Sequence, residues 1–381
     1  MPPELSVAAS VSLHDYEARA AAVLPPEIWD YVRGGSDDER TLLRNAAAFG
    51  ELLLQPRVLV DVSRVDCSTT VLGTKVSLPV LLAPVGYQRL FHPEGELASA
   101  GGAEDAQSLL CVPTLATVSL EEVAAASKGP LWFQLYPFRD RTATEAIVRR
   151  AHLAGYRALV VTVDAPRLGN RERDRRNLFS LPRTLATPNL PPRADLLKQR
   201  WEMESALAVH AQETFDAAFN WESLAWLRGL SPLPLVLKGI LCAEDAVLAV
   251  RHGCAGVVVS NHGGRQLDGV PAAVEVLPEV VAAVGGGVEV YLDGGVRRGT
   301  DVLKAVALGA RAVLVGRPLV WGLATGGRAG VRQVLELLRD ELLRALSLTG
   351  RTSLSDVRSD LVRHASSFRG APPLRLDPTD P

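Results

Sequence analysis

Gly256-Val-Val-Val-Ser260 is a β-branched run that breaks into Asn261-His-Gly-Gly-Arg-Gln-Leu-Asp-Gly269. An uninterrupted apolar run suits a strand buried on both faces, the kind found in parallel sheets. The polar stretch then places an imidazole and a guanidinium at the strand's C-terminal end, beside glycines that let the backbone approach a ligand closely. Runs of this kind recur at 78–83, 110–115, 131–136, 158–164, 233–238, 289–293 and 312–316, so there are eight with 256–260. Helical periodicity follows most of them, as at 143–153, 243–251 and 300–308. Eight βα units predict a single (β/α)8 TIM barrel in the α/β class, and they predict active groups at the C-terminal strand ends, where the βα loops converge. No Gly-x-Gly-x-x-Gly follows the first strand, which disfavours an open dinucleotide-binding sheet.

Three regions fall outside the alternation. Residues 1–74 read as an N-terminal helical cap segment with an amphipathic start at 15–29, expected to cover the barrel's lower end and flank. The barrel itself should span 75–355, with 356–381 as a C-terminal tail. A long loop after strand 4, about 181–222, is Pro-rich and then helix-like, the pattern of a lid insertion. Its charges, among them Arg193, Asp195, Lys198, Arg200 and Glu202, argue against membrane insertion.

With 41 basic and 43 acidic side chains in 381 residues, the chain presents no field selective for nucleic acid or an anionic membrane. A small-molecule substrate is the expectation. Cys67, Cys111, Cys242 and Cys254 form neither a Cys-x-x-Cys pair nor a metal-like spacing, so no metal site and a reducing compartment are expected. No stretch has the uninterrupted apolar length of a membrane span, the first residues lack a secretory pattern, and the last resemble no anchor or peroxisomal address. A cytoplasmic protein is the reading.

Strand ends supply the chemistry. His262 and Arg265 follow the sixth strand, and Asp164, Arg167 and Arg171 follow the fourth. Asp164 beside His262 would orient the ring and raise its proton affinity, as an acid/base pair requires, although a lone loop histidine or a strand-end ion pair can be purely structural. Arg171 with Arg265 matches the fork geometry of a carboxylate; a solvated surface pair is the alternative. Asp293-Gly-Gly-Val-Arg-Arg-Gly299 and Gly316-Arg-Pro318 end strands seven and eight, where barrels commonly hold a phosphate, belonging equally well to a cofactor or a substrate. Lys238 should enter the mouth from strand five, or else serve a neighbouring carboxylate. Gln134, Tyr136 and Tyr31 can line a site or simply pack.

The run Ser260-Asn-His-Gly-Gly-Arg-Gln-Leu-Asp268 resembles the active-site signature of the FMN-dependent 2-hydroxy acid dehydrogenases and oxidases. The likeness extends from about Leu13 to Ser353 through Phe133-Gln-Leu-Tyr136, Val163-Asp164, Leu237-Lys-Gly239, Leu292-Asp-Gly-Gly-Val-Arg-Arg-Gly299 and Val315-Gly-Arg-Pro318. It implies FMN as cofactor, a 2-hydroxy acid as substrate, dioxygen or another electron acceptor, and a homo-oligomer, tetramer or octamer. Position by position it implies His262 as base with Asp164 as partner, Arg171 and Arg265 on the carboxylate, and Tyr31 and Tyr136 on the substrate oxygens. For the flavin it implies Lys238 near the N1 and O2 edge and Gln134, Thr162 and Ser260 at flavin-contacting positions. Asp293, Gly295, Arg297, Gly316 and Arg317 fall around the ribityl chain and phosphate, and Ala83, Pro84, Val85 and Gly86 against the ring face.

Several positions depart from that pattern. Leu115 replaces a tryptophan of glycolate oxidase and implies a wider, apolar pocket. Pro113 replaces a flavin-bonding serine, a contact expected to be lost or to pass to Thr114, and Asn170 stands where an arginine is frequent. Gly86 replaces the alanine of oxidases, which leaves oxidase, dehydrogenase and monooxygenase outcomes open. Together with Leu115, the run from Gly86 to Glu96 resembles the 4-hydroxymandelate oxidase branch and implies an aromatic, mandelate-type substrate. Two rivals stay in view: a non-redox FMN- or phosphate-binding barrel such as an isomerase, and a catalytically inactive binding protein.

Overall fold

The structure, a computed structural model, describes residues 10–182, 184–191 and 214–368. Eight parallel strands close on themselves: β1 (Val80–Leu82), β2 (Leu110–Val112), β3 (Leu131–Leu135), β4 (Leu159–Thr162), β5 (Leu235–Ile240), β6 (Gly256–Val259), β7 (Glu289–Asp293) and β8 (Ala312–Val315). Closure comes from β8 lying beside β1, with Val313 opposite Val80 and Val315 opposite Leu82. This is the (β/α)8 barrel expected from the sequence.

Alternation along each strand builds two cores. Leu81, Cys111, Trp132, Val160, Val236, Val258, Tyr291 and Leu314 meet in the barrel interior, whereas Leu82, Val112, Phe133, Val161 and Val259 pack outward with the helices. Because side chains repeat with period two, the next inward positions at the strands' C-terminal ends are Ala83, Pro113, Gln134, Thr162, Lys238, Ser260, Asp293 and Gly316. Above the hydrogen bond between Glu289 and the Tyr291 hydroxyl at the lower end, the interior is therefore largely apolar until its last layer, which carries the polar groups of the mouth.

The amphipathic start is two helices, α1 (Leu13–Val23) and α2 (Pro26–Arg33), where the sequence suggested one. Pro25 and Pro26 explain the break: neither carries an N–H, and proline forces the residue before it out of helical geometry. With α3 (Arg40–Gly50), this helical part of the N-terminal segment lies away from the lower end of the barrel. It sits at the mouth. Asn45 and Asn261 exchange two buried amide hydrogen bonds of 2.9 and 2.8 Å, and Asp268 accepts from the Thr41 amide at 2.7 Å. The lower end is closed by the last part of the N-terminal segment, the hairpin Thr69–Val71 and Thr74–Val76, whose Val71 and Val76 join the inner core. At the other terminus, Val362–His364 pairs antiparallel with Leu52–Leu54, so the expected tail begins as an ordered strand. Residues 192–213, most of the expected lid insertion with its charged side chains, lie outside the described residues, as do 369–381.

Candidate active site

Lys238 reaches the mouth fully buried, its Nζ 2.9 Å from Asp293 Oδ2 and donating to Ser260 Oγ at 2.9 Å. Burial alone would lower its pKa, but the Asp293 and Asp164 carboxylates outweigh that and raise it, so the ammonium stays charged. Next to it, Gln134 donates to Thr162 Oγ1 at 3.0 Å and accepts from the Thr114 amide at 3.1 Å.

His262 has a left-handed backbone, φ 57°, that turns its ring back over the strand ends. Its Nδ1 lies 3.0 Å from Asp164 Oδ1, and Ser260 Oγ accepts from its amide at 3.0 Å. Burial pushes the Asp164 pKa up, yet His262 and Lys238 outweigh it and hold the group below the ordinary 3.8, ionised. A carboxylate accepting from Nδ1–H leaves Nε2 as the ring's free nitrogen. Asp164 itself stands behind the ring rather than on the cavity wall. Room for it comes from Gly239, whose φ is 113° and where an added Cβ would lie 2.5 Å from the Asp164 Cβ.

Facing the imidazole are two guanidiniums. Arg265 Nη1 donates to the carbonyls of Tyr31 at 2.7 Å and Gly34 at 2.9 Å, and its plane lies 5.1 Å over the Tyr31 ring. Burial, then the Arg171 charge, pushes the Arg265 pKa down to about 10, so the pair calls for an anion between them. Arg171 is buried with its Nε unpartnered. Tyr136 stacks on Phe215 with centroids 4.6 Å apart, and burial followed by the Asp164 charge pushes its hydroxyl up to about 12, which keeps it a hydrogen-bond donor at neutral pH. Tyr31 stacks on Phe179 at 4.8 Å.

On the far side, Arg317 donates to the carbonyls of Val32 at 3.0 Å, Gly263 at 3.1 Å and Gly34 at 2.9 Å. Burial lowers its pKa strongly, and Arg265 and Arg297 add to the effect. Arg297 lies 4.9 Å over the Trp321 ring. Among the described residues none of Arg171, Arg265, Arg297 and Arg317 forms a salt bridge, a costly arrangement unless a bound anion supplies the missing charge. Asp293 Oδ1 is also buried without a partner. Unpaired cations, an unpartnered carboxylate oxygen and the turns at Gly294, Gly295 and Gly316 fit a cofactor that carries a phosphate and hydroxyls.

These groups line one cleft of about 1440 Å³, measured out to its open mouth. Of the residues singled out in the sequence, the cleft gathers Tyr31, Tyr136, Arg171, His262, Arg265 and Leu115 with Ala83, Pro84, Val85, Gly86, Gln134, Thr162, Lys238, Asp293, Gly295, Arg297, Gly316 and Arg317. Thr114 and Ser260 are fully buried and do not line it. Pro113 takes the inward place beside Thr114, whose hydroxyl donates to the Gln134 carbonyl at 2.7 Å; Ser260 Oγ serves Lys238 and His262. Both side chains thereby brace residues that line the cleft. Asn170 bonds Asp37 at 2.8 Å, away from the cleft. Sequence reasoning missed Tyr87, Phe91, Phe215, Leu168 and Gln266 on the wall. Gln266 lies inside the motif, Tyr87 and Phe91 inside the run from Gly86 to Glu96, and Leu168 between Arg167 and Arg171, whereas Phe215 had no signal nearby. The described residues hold no cluster of three or more His, Cys, Asp or Glu able to bind a metal ion, and no helix long and apolar enough to cross a membrane.

The profile of the FMN-dependent dehydrogenase family matches residues 20–364. An L-lactate oxidase of Nostoc sp. is 50% identical over 92% of this chain and 98% of its own length. The human 2-hydroxyacid oxidase 1 is 48% identical over 93% of this chain and 96% of its own. Among solved structures, mandelate oxidase with (S)-4-hydroxymandelic acid superposes with a TM-score of 0.89 at 49% identity, covering 93% of this chain and 98% of that one.

Proposed function

Given that this chain belongs to the FMN-dependent dehydrogenase family, we propose that it oxidises an aromatic, mandelate-type 2-hydroxy acid to the 2-keto acid and passes the electrons to dioxygen. FMN dependence and 2-hydroxy acid oxidation follow from the relatives; the aromatic substrate and the acceptor are the finer claims. The observation that carries the reading is the His262–Asp164 pair, 3.0 Å apart, opening onto a cleft that also holds Arg171 and Arg265 without acidic partners.

Arg297, Arg317 and the Gly294–Gly295 and Gly316 turns would hold the FMN phosphate, Asp293 the ribityl hydroxyls, and Lys238, Gln134 and Thr162 the ring edge. Bound FMN supplies a two-electron acceptor. Arg171 and Arg265 take the substrate carboxylate, each guanidinium offering a planar fork of donors. Tyr31 and Tyr136 donate to substrate oxygens. His262 Nε2 accepts the proton that the substrate gives up, and Asp164 stabilises the resulting imidazolium through Nδ1. Lys238 provides a fixed positive charge where negative charge builds up on reduction.

Leu115 and the aromatic wall of Tyr87, Phe91 and Phe215 support an aryl substrate. The oxidase names of the relatives support dioxygen, which makes hydrogen peroxide the second product. Free cysteines throughout support a reducing, cytoplasmic setting, and the family resemblance supports a tetramer or octamer. A second reading keeps the reaction and changes the acceptor. It rests on Gly86, where an added Cβ would meet Leu115 Cβ at 3.1 Å, so a methyl is missing beside the expected ring face. An oxygen electrode with mandelate and lactate tests both. Rapid oxygen uptake with mandelate supports the oxidase; anaerobic bleaching without uptake supports the second reading; no bleaching with any 2-hydroxy acid overturns the reaction itself.

A further inference from the structure

Strands β4 and β6 carry the two halves of the reaction machinery, yet they are not neighbours. β5 lies between them, so no ladder hydrogen bond sets the loop bearing Asp164 and Arg171 against the loop bearing His262 and Arg265. Besides the Asp164–His262 pair itself, the side chain of Gln266 spans that gap. Gln266 Nε2 donates to the Asp164 carbonyl at 2.9 Å and to the Arg167 carbonyl at 2.8 Å, while its Oε1 accepts from the Gly169 amide at 3.1 Å. Both of its donor hydrogens and its acceptor are engaged, and the residue is buried on the cleft wall next to Arg265. The loop backbones touch as well: a Cβ on Gly169 would lie 2.4 Å from the Arg265 carbonyl oxygen and 2.7 Å from that of Gln266.

We propose that Gln266 is a positioning residue that fixes the spacing between the two loops, and with it both the base and the carboxylate clamp. The inference rests on the reaction proposed above. Each working unit has one member on either loop, Asp164 with His262 and Arg171 with Arg265. A slip of one loop relative to the other therefore spoils proton acceptance and carboxylate binding together. Because a misplacement of about 1 Å costs on the order of 100-fold in rate, the clamp is worth about that much in kcat/KM.

The test uses the full-length, FMN-loaded protein with two substitutions. Gln266→Leu keeps the bulk and removes all three hydrogen bonds. Gln266→Glu keeps the acceptor for Gly169 and removes the two donors. Turnover per bound FMN, KM for mandelate, benzoate binding followed by flavin absorbance, and hydrogen exchange of the 164–170 peptide are measured for each. Gln266→Leu should lower kcat, raise KM, weaken benzoate and speed exchange at 164–170 while leaving 289–299 unchanged; Gln266→Glu, which turns an acceptor oxygen towards the Asp164 and Arg167 carbonyls, should move the same quantities in the same direction. If Gln266→Leu fails to fold, Gln266→Glu carries the decision. A merely structural role would lower melting temperature and FMN content and leave turnover per FMN and KM intact, and that result overturns the proposal. Should the unsubstituted protein fail to reduce FMN with any 2-hydroxy acid, the reaction falls, while benzoate binding and hydrogen exchange still decide the role of Gln266.

Discussion

The two sides of the mouth leave different things unfinished. At the β4 and β6 ends the acid/base pair is complete within the protein, and what stays open is a direction: Arg171 keeps a buried, unpartnered N–H beside Arg265. At the β7 and β8 ends Arg317 already donates to three carbonyls, so what its guanidinium leaves open is charge, while Asp293 Oδ1 keeps an unpartnered acceptor. Neutral carbonyls saturate hydrogen bonds without cancelling a full positive charge. On the proposed function, the first side thus selects a small planar anion by geometry. On the same proposal, the second attracts a compact, highly charged group by its field.

Breaking the first side should have the largest effect. His262→Ala should lower the rate of flavin reduction by mandelate about 10²- to 10⁴-fold, the usual range for a general base, with FMN content unchanged by absorbance. Loss of FMN in that variant would erase the distinction between the sides. Arg317→Met attacks the second side: losing a charge-assisted contact of about 1.5–3 kcal/mol should weaken FMN roughly 10- to 150-fold. The rise in melting temperature on adding FMN to the apoprotein should shrink accordingly, while mandelate turnover per bound FMN stays near normal. Leu115→Trp sharpens the comparison with the smallest change. It narrows the cleft on the substrate side alone, and the ratio of kcat/KM for mandelate over lactate should fall about tenfold, the scale at which apolar pockets discriminate size. An unchanged ratio would remove Leu115 from substrate selection.

The strand ends were legible because two local signals agree there. A short β-branched run identifies the strand, and period two then places Lys238, Gln134, Thr162 and Asp293 inward. The same count, started at Cys111, points Pro113 inward and Thr114 outward, as the structure has them. Ser260 also points inward, but the Lys238 ammonium covers it, a contact between strands that no single run encodes. Tyr87, Phe91 and Phe215 reach the wall through loop paths set by long-range packing. The amphipathic pattern of α2 and α3 requires a buried face without naming the surface that buries it, so their place at the mouth had to come from coordinates. For Val362–His364, a strand of three residues is too short to show any period.

The paired amides of Asn45 and Asn261 have a consequence for where this protein can work. Ion pairs across a seam weaken with added electrolyte and vanish when either member titrates. Carboxamides do neither. The inner seal between the N-terminal segment and the sixth strand should therefore hold at high ionic strength and in mild acid or base, and the mouth keeps its shape over a broader range of solvents than the surface salt bridges around it.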